Sequence, residues 1–103
     1  MELKMYAVIF TATINQLDQA YNDTAIKMRQ LAYDKYNCSE FISTYEDGLE
    51  ISISYWSDLT DIKNWKQDSA HLVAQQQGIE KWYTSYKIQI TEIIREYSHT
   101  QEA

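Results

Sequence analysis

Phe41-Ile42-Ser43-Thr44-Tyr45-Glu46-Asp47-Gly48-Leu49-Glu50-Ile51-Ser52-Ile53-Ser54-Tyr55 is the stretch whose reading decides the fold. Phe41, Ser43 and Tyr45 fall on one side of an extended chain and Ile42, Thr44 and Glu46 on the other. After Asp47-Gly48, Leu49, Ile51, Ile53 and Tyr55 alternate with Glu50, Ser52 and Ser54. A period of two is the side-chain repeat of a β-strand. Asp-Gly between two such runs accepts the positive φ angles of a tight hairpin turn, so the stretch predicts two antiparallel strands.

Upstream, Met5 to Thr13 is β-branched and aromatic and is apolar at both odd and even positions, the pattern of a strand buried on both faces. Asn15 then offers an N-cap, with Asp18 near the positive end of the helix dipole. Leu17, Tyr21, Thr24, Met28, Leu31 and Lys35 step by three or four and predict a helix over about Leu17 to Tyr36. Downstream of the hairpin, Ser57 is a second N-cap candidate, and Asp58 and Asp61 load the first turn of a helix whose buried stripe is Leu59, Ile62 and Trp65. The pattern breaks at Gln67-Asp68-Ser69, where Asp68 can cap a second piece carrying His71, Leu72 and Val73, with Gly78 as its C-cap. A short turn through Glu80 to Tyr83 leads to a last strand in which Tyr86, Ile88 and Ile90 alternate with polar residues. That strand is expected to run to about Tyr97, and Ser98 to Ala103 to fray.

The order β-α-β-β-α-β is the split βαβ, or ferredoxin-like, α+β arrangement, with a four-stranded antiparallel sheet. Two helices cover only one face of such a sheet. The other keeps side chains such as Met5 or Tyr6, Ile42 or Phe41, and Ile88, depending on register, each worth roughly 1.5 to 3 kcal/mol if buried. A large apolar patch rarely stays in water, so the expected partner is a second copy of the chain, giving a homodimer with sheets face to face.

The 103 residues make one domain, 1–103, with its core over 5–97. Cys38 is the only cysteine, so no disulfide forms within the chain, and with His71 and His99 the only histidines, no Cys/His metal site is expected. The net charge of −6 and nine scattered basic residues argue against nucleic acid. No run of about 18 apolar residues offers a membrane span. Met5 to Ile14 carries strand formers and no small-residue cleavage site, so it reads as a strand rather than a signal sequence. A lone thiol without a targeting segment points to the cytoplasm.

The stretch Tyr55-Trp56-Ser57-Asp58-Leu59-Thr60-Asp61-Ile62-Lys63-Asn64-Trp65-Lys66, then His71-Leu72, then Gly78-x-Glu80-Lys81-Trp82-Tyr83-x-x-Tyr86, resembles the antibiotic biosynthesis monooxygenase family of dimeric α+β barrels. The likeness covers Tyr6 to Tyr97. It implies an oxygenase that uses no metal, flavin or haem and oxidises electron-rich polycyclic phenols through the substrate's own carbanion. In that family a helix carries an Asn, a Trp four residues later and a Tyr six beyond. The matching positions are Asp61, Trp65 and His71, so only the Trp is kept: Asp removes a donor, and His leaves a proton acceptor. A sister group degrades haem with an Asn on the first strand and a His about ten residues past the helix Trp. Here Tyr6 to Thr13 holds no Asn and the tenth residue past Trp65 is Gln75. His71 itself lies one and a half turns past the Trp in an unbroken helix and faces elsewhere.

Two residues are therefore the candidates for catalysis. Trp65 is a pocket wall or a core residue on its helical stripe. His71, with an ordinary pKa near 6.5, is a general base or a solvated side chain. Asp61, Trp56, Trp82, Tyr83 and Phe10 are the candidate substrate contacts, with Asp61 most simply explained as a first-turn charge. Glu92 interrupts the last strand's apolar alternation and is either a pocket carboxylate or a solvated strand end. Cys38 has no basic neighbour closer than Lys35 and reads as inert. Nine tyrosines and three tryptophans suit an aromatic cavity or a small core of large side chains. The expected function is a cofactor-independent monooxygenase of a small aromatic substrate; a non-catalytic small-ligand-binding dimer and a haem-degrading enzyme are the alternatives.

Overall fold

The computed structural model describes residues 3–15 and 17–101. The elements run β1 (Tyr6–Ile14), α1 (Gln19–Tyr36), β2 (Glu40–Glu46), β3 (Leu49–Trp56), α2 (Leu59–Gln67), α3 (Ser69–Gln77), a π-helical turn (Gly78–Trp82) and β4 (Tyr83–Glu92). The four strands form one antiparallel sheet in the order β2-β3-β1-β4, which is the ferredoxin-like order. The Asp47-Gly48 hairpin forms as expected. Both central residues have positive φ, 50° and 84°, and the register closes with Glu46 opposite Leu49. Gly48 C=O also accepts from Ile14 N–H at 2.8 Å, tying the turn to the end of β1.

Register assigns the faces, because residues directly opposite one another share a side of the sheet. Val8 pairs with Ser54 and Ala12 with Glu50; Phe10 pairs with Ile88 and Phe41 with Ser54. Val8 packs in the core beneath the helices with Ala32, Cys38, Trp56, Ile62 and Trp65. The helix-facing row of β3 is therefore Glu50, Ser52, Ser54 and Trp56, all buried. The apolar row of the same strand, Leu49, Ile51, Ile53 and Tyr55, points to the open face with Ile9 and Ile42. Of the side chains expected on that face, Ile42 is there, 48 % exposed, whereas Tyr6, Phe41 and Ile88 pack against the helix-side core. Trp56 explains the parity. Its ring is fully buried 5.2 Å from that of Trp65, and its indole N–H donates to Ser54 Oγ at 2.8 Å.

Several local expectations change. Asp18, not Asn15, caps α1, accepting from Tyr21 N–H at 2.8 Å, while Asn15 N–H is taken by Trp82 C=O at 2.8 Å. Asp58, not Ser57, caps α2 through Thr60 N–H at 2.7 Å. The helix does break at Asp68, whose carboxylate caps α3 through Ala70 N–H and accepts from Tyr36 OH at 2.6 Å and Lys35 Nζ at 3.4 Å. β4 starts at Tyr83 and ends at Glu92, so Ile94 and Tyr97 are exposed without regular structure, as are residues 98–101. Glu92 is a solvated strand end near Lys4. Cys38 is buried, with Sγ directed at Glu40 C=O, and burial pushes its thiol pKa up, as suits an inert side chain. No described helix is long and apolar enough to cross a membrane.

Gly78 follows α3, but not as a left-handed cap: its φ and ψ are −60° and −47°. What demands glycine is space. A Cβ here would lie 2.3 Å from Tyr83 Cε2, and that ring is hemmed in by Phe10 and Tyr86 at 5.5 and 5.8 Å. In helical backbone, Ala by itself would be worth about 0.5–1 kcal/mol over Gly. Gly78→Ala should nonetheless destabilise the domain by about 1–3 kcal/mol in urea titrations, through overpacking. In a Tyr83→Ala background the same change should turn neutral or stabilising.

Candidate functional site

The helix-side core is divided. Val8, Trp56, Ile62 and Trp65 centre one cluster and Ala12, Ile14, Tyr21 and Trp82 the other. Between them lies a cavity of about 120 Å³, against the 10–15 Å³ that one water requires. Its floor is the polar row of the hairpin, with Ser43 and Ser52 hydrogen-bonded at 2.9 Å beside Glu50. Its roof is Thr24, Ala25 and Met28 of α1, Trp65 and Lys66 of α2, and His71, Ala74 and Gln75 of α3. Phe10, Trp82, Tyr83 and Tyr86 close one end.

Five of the seven residues singled out from sequence reach this cavity: Trp65, His71, Phe10, Trp82 and Tyr83. Trp65 is both wall and core. Its N–H donates to Met28 C=O at 3.2 Å, which fixes the indole under α1. Trp82 N–H donates to Asp18 Oδ2 at 3.3 Å, so the carboxylate that caps α1 also anchors this ring. The π-helical turn, a frequent device near functional sites, is what carries Trp82 and Tyr83 into place. Two expected contacts do not line the cavity. Trp56 is sealed beneath Trp65 with its only donor spent on Ser54, and Asp61 sits on the first turn of α2 beside Asn37.

The break at Asp68 re-aims α3, so His71 does not face away from Trp65 as it would on a continuous helix. Its ring stands edge-on to the indole at 4.5 Å. His71 Nδ1 is buried without a hydrogen-bond partner. Burial, and then the charge of Lys66, lower its pKa from 6.5 to about 4, which keeps the imidazole neutral at pH 7. A conjugate acid this strong is a poor match for a general base at neutral pH. Glu50 fits better. It is 8 % exposed, and burial raises its carboxyl from 4.5 to about 7, against a smaller opposing effect of Ser52. The Tyr83 phenol is held neutral, raised by burial and then by the charge of Glu50. Lys66 is partly buried, and burial lowers its pKa.

Glu50 and Lys66 escape notice in the sequence because each sits at an apparently solvated position. A signal for Glu50 does exist. Stepping back by two from Trp56 gives Ser54, Ser52 and Glu50, so a buried Trp places the carboxylate on the inner face. Gln75, the tenth residue past Trp65, donates to Tyr86 OH at 3.0 Å. Among the described residues no group of three or more His, Cys, Asp or Glu side chains could hold a metal ion.

No protein-family model matches the chain. The uncharacterized protein YqjZ of Bacillus subtilis is 34 % identical over 92 residues, covering 88 % of this chain and 81 % of its own length. The chain belongs to the YqjZ family. Among solved structures, a mutant form of SnoaB, a cofactor-independent oxygenase from Streptomyces nogalater, matches with a TM-score of 0.78 at 6 % identity, over 92 % of this chain and 98 % of SnoaB. A candidate antibiotic biosynthesis monooxygenase from Nitrosomonas europaea matches with a TM-score of 0.74 at 12 % identity, over 91 % and 94 % of the two chains. At these identities the likeness is one of fold: this YqjZ relative has the α+β fold of the antibiotic biosynthesis monooxygenases, as the resemblance of Tyr55 to Tyr86 implied.

The two titrating groups of the cavity act on stability in opposite senses. Glu50 is held above its unfolded value of 4.5, so the folded state keeps the proton longer, and stability is lost as pH rises from 4.5 through 7. His71 is held below 6.5, so stability is lost as pH falls from 6.5 through 4. Glu50→Gln should therefore match the parent in thermal melts below pH 4.5 and exceed it by up to about 3 kcal/mol above pH 7.

Proposed function

We propose that this domain is a cofactor-independent monooxygenase of a small, electron-rich phenolic substrate, working as a homodimer. The observation that carries the reading is a buried carboxyl, Glu50, titrating near 7 inside an aromatic cavity whose opposite wall holds an unpartnered imidazole nitrogen. A base poised at the working pH is what abstraction of a weakly acidic C–H requires.

Trp65, Phe10 and Tyr83 hold the ring system, and Trp82 braces that end of the cavity. His71 Nδ1 takes a substrate oxygen, and Lys66 adds positive potential for the charge that develops on it. Glu50 removes a proton from an activated ring CH₂. The carbanion gives one electron to O₂, the radical pair combines to a peroxide anion at that carbon, and Glu50 returns its proton to make the hydroperoxide. Loss of water then leaves a carbonyl, so one CH₂ and one O₂ become C=O and H₂O. Placing the base at Glu50 departs from the role expected of His71, because the His71 imidazole is the weaker base of the two at neutral pH.

Aerobic incubation with a panel of anthrones and hydroquinones should show oxygen uptake whose rate rises through pH 7. Glu50→Gln should lower it about 10²-fold or more, while His71→Ala leaves the inflection where it is. Saturable quenching of the tryptophans with no uptake above the Glu50→Gln control would replace this reading with that of a binding module.

The homodimer is supported by the open face of the sheet. Ile9, Ile42, Leu49, Ile51, Ile53 and Tyr55 form one apolar surface that no described element covers. Light scattering at micromolar concentration should give twice the mass of one chain, and Ile53→Lys, a charge at the middle of that surface, should give a monomer.

A further inference from the structure

Lys66 is the one cation lining the cavity, and it has no ion pair or hydrogen bond among the described residues. The neighbouring carboxylate of Asp68 does not serve it, being occupied by Tyr36 OH at 2.6 Å, Ala70 N–H at 2.9 Å and Lys35 Nζ at 3.4 Å. Glu50 lines the same cavity but forms no ion pair with it. A half-buried ammonium without a counter-charge is costly to the folded chain unless a ligand supplies one. In the same cavity, edge-on to Trp65, stands the second unfulfilled group, the buried Nδ1 of His71. An ammonium and an unpartnered imidazole nitrogen lining one apolar cavity can together form a receptor for an oxyanion.

The aromatic walls select the rest of the ligand, and Glu50 on the cavity floor would repel a second anionic group once ionised. We propose that the cavity selects aromatic monocarboxylic acids, with the carboxylate held by Lys66 and His71, the ring between Trp65 and Tyr83, and the reacting ring position directed at Glu50. The assignment deepens the oxygenase reading by naming its substrate class. As a statement about binding it rests only on the cavity.

The test is calorimetric titration of the full chain under argon at pH 7.5, where no turnover occurs, with 4-hydroxybenzoate and 6-hydroxy-2-naphthoate, each against its own carboxamide. At least one acid should bind ten times or more tighter than its amide. The preference should fall to within about twofold in Lys66→Met, which keeps the length of the side chain without its charge, and should persist in Lys66→Arg. Equal or tighter binding of the amides, no binding of either acid, or a preference that survives Lys66→Met would each overturn the proposal. Acid preference together with an absence of oxygen uptake would leave the ligand class standing and remove only the oxygenase reading.

Discussion

The structure depends on one choice of parity: β3 turns its polar row, Glu50, Ser52 and Ser54, toward the helices, and its isoleucines toward the open face. An ordinary half-buried strand does the reverse. The choice is held by Trp56, which belongs to the polar row by its position and can be buried only on the helix side, against Trp65 and Ile62. Small serines beside it leave room for the indoles. The same serines and Glu50 then put polar groups where a continuous apolar core would have been, and the core divides into two clusters with a cavity between them. A carboxyl buried there is expensive when ionised, which is why it titrates near 7. The cost is offset by aromatic and aliphatic burial on either side.

Two interruptions of the helical layer shape the cavity from above. At Asp68 the backbone N–H ends α2 on Trp65 C=O, while the carboxylate starts α3 and is tied to α1 through Tyr36, so the direction of α3 is set by three elements at once. At Gly78 the chain continues in a π-helical turn that brings Tyr83 over the glycine's bare Cα. The first aims His71, the second Tyr83. Both side chains owe their positions to departures from a regular helix, which is where side-chain spacing alone stops predicting direction.

Strand order, hairpin and helix break were legible in the sequence because each rests on local chemistry: Asp-Gly at a turn, a change of period, an Asp at a cap. Neighbouring caps were misplaced by one to three residues, since Asn15, Asp18, Ser57 and Asp58 are all competent and only long-range bonds decide between them, as Asn15 N–H to Trp82 C=O does. Gly78 was singled out for the wrong property, conformational freedom in place of bare volume. Of the site, the aromatics were legible because large rings in a short chain must be somewhere inside. Asp61 and Trp56 were drawn in by their places in a motif, yet one is turned to the surface and the other is sealed in the core. Glu50 was passed over because an acidic residue in an alternating strand normally faces water.

The cavity and the open apolar face are thus two sides of the same strand. Because side chains alternate with a period of two, a slip of one residue in the β1–β3 register would carry Glu50 to the open face and Ile51 into the cavity. The hairpin turn and the Trp56–Trp65 contact, at opposite ends of β3, both oppose that slip. The open-face isoleucine row and the buried carboxyl therefore need no separate explanations. Seating Trp56 under the helices fixes the parity of β3, and that parity leaves the isoleucines on the open face and the carboxyl in the cavity.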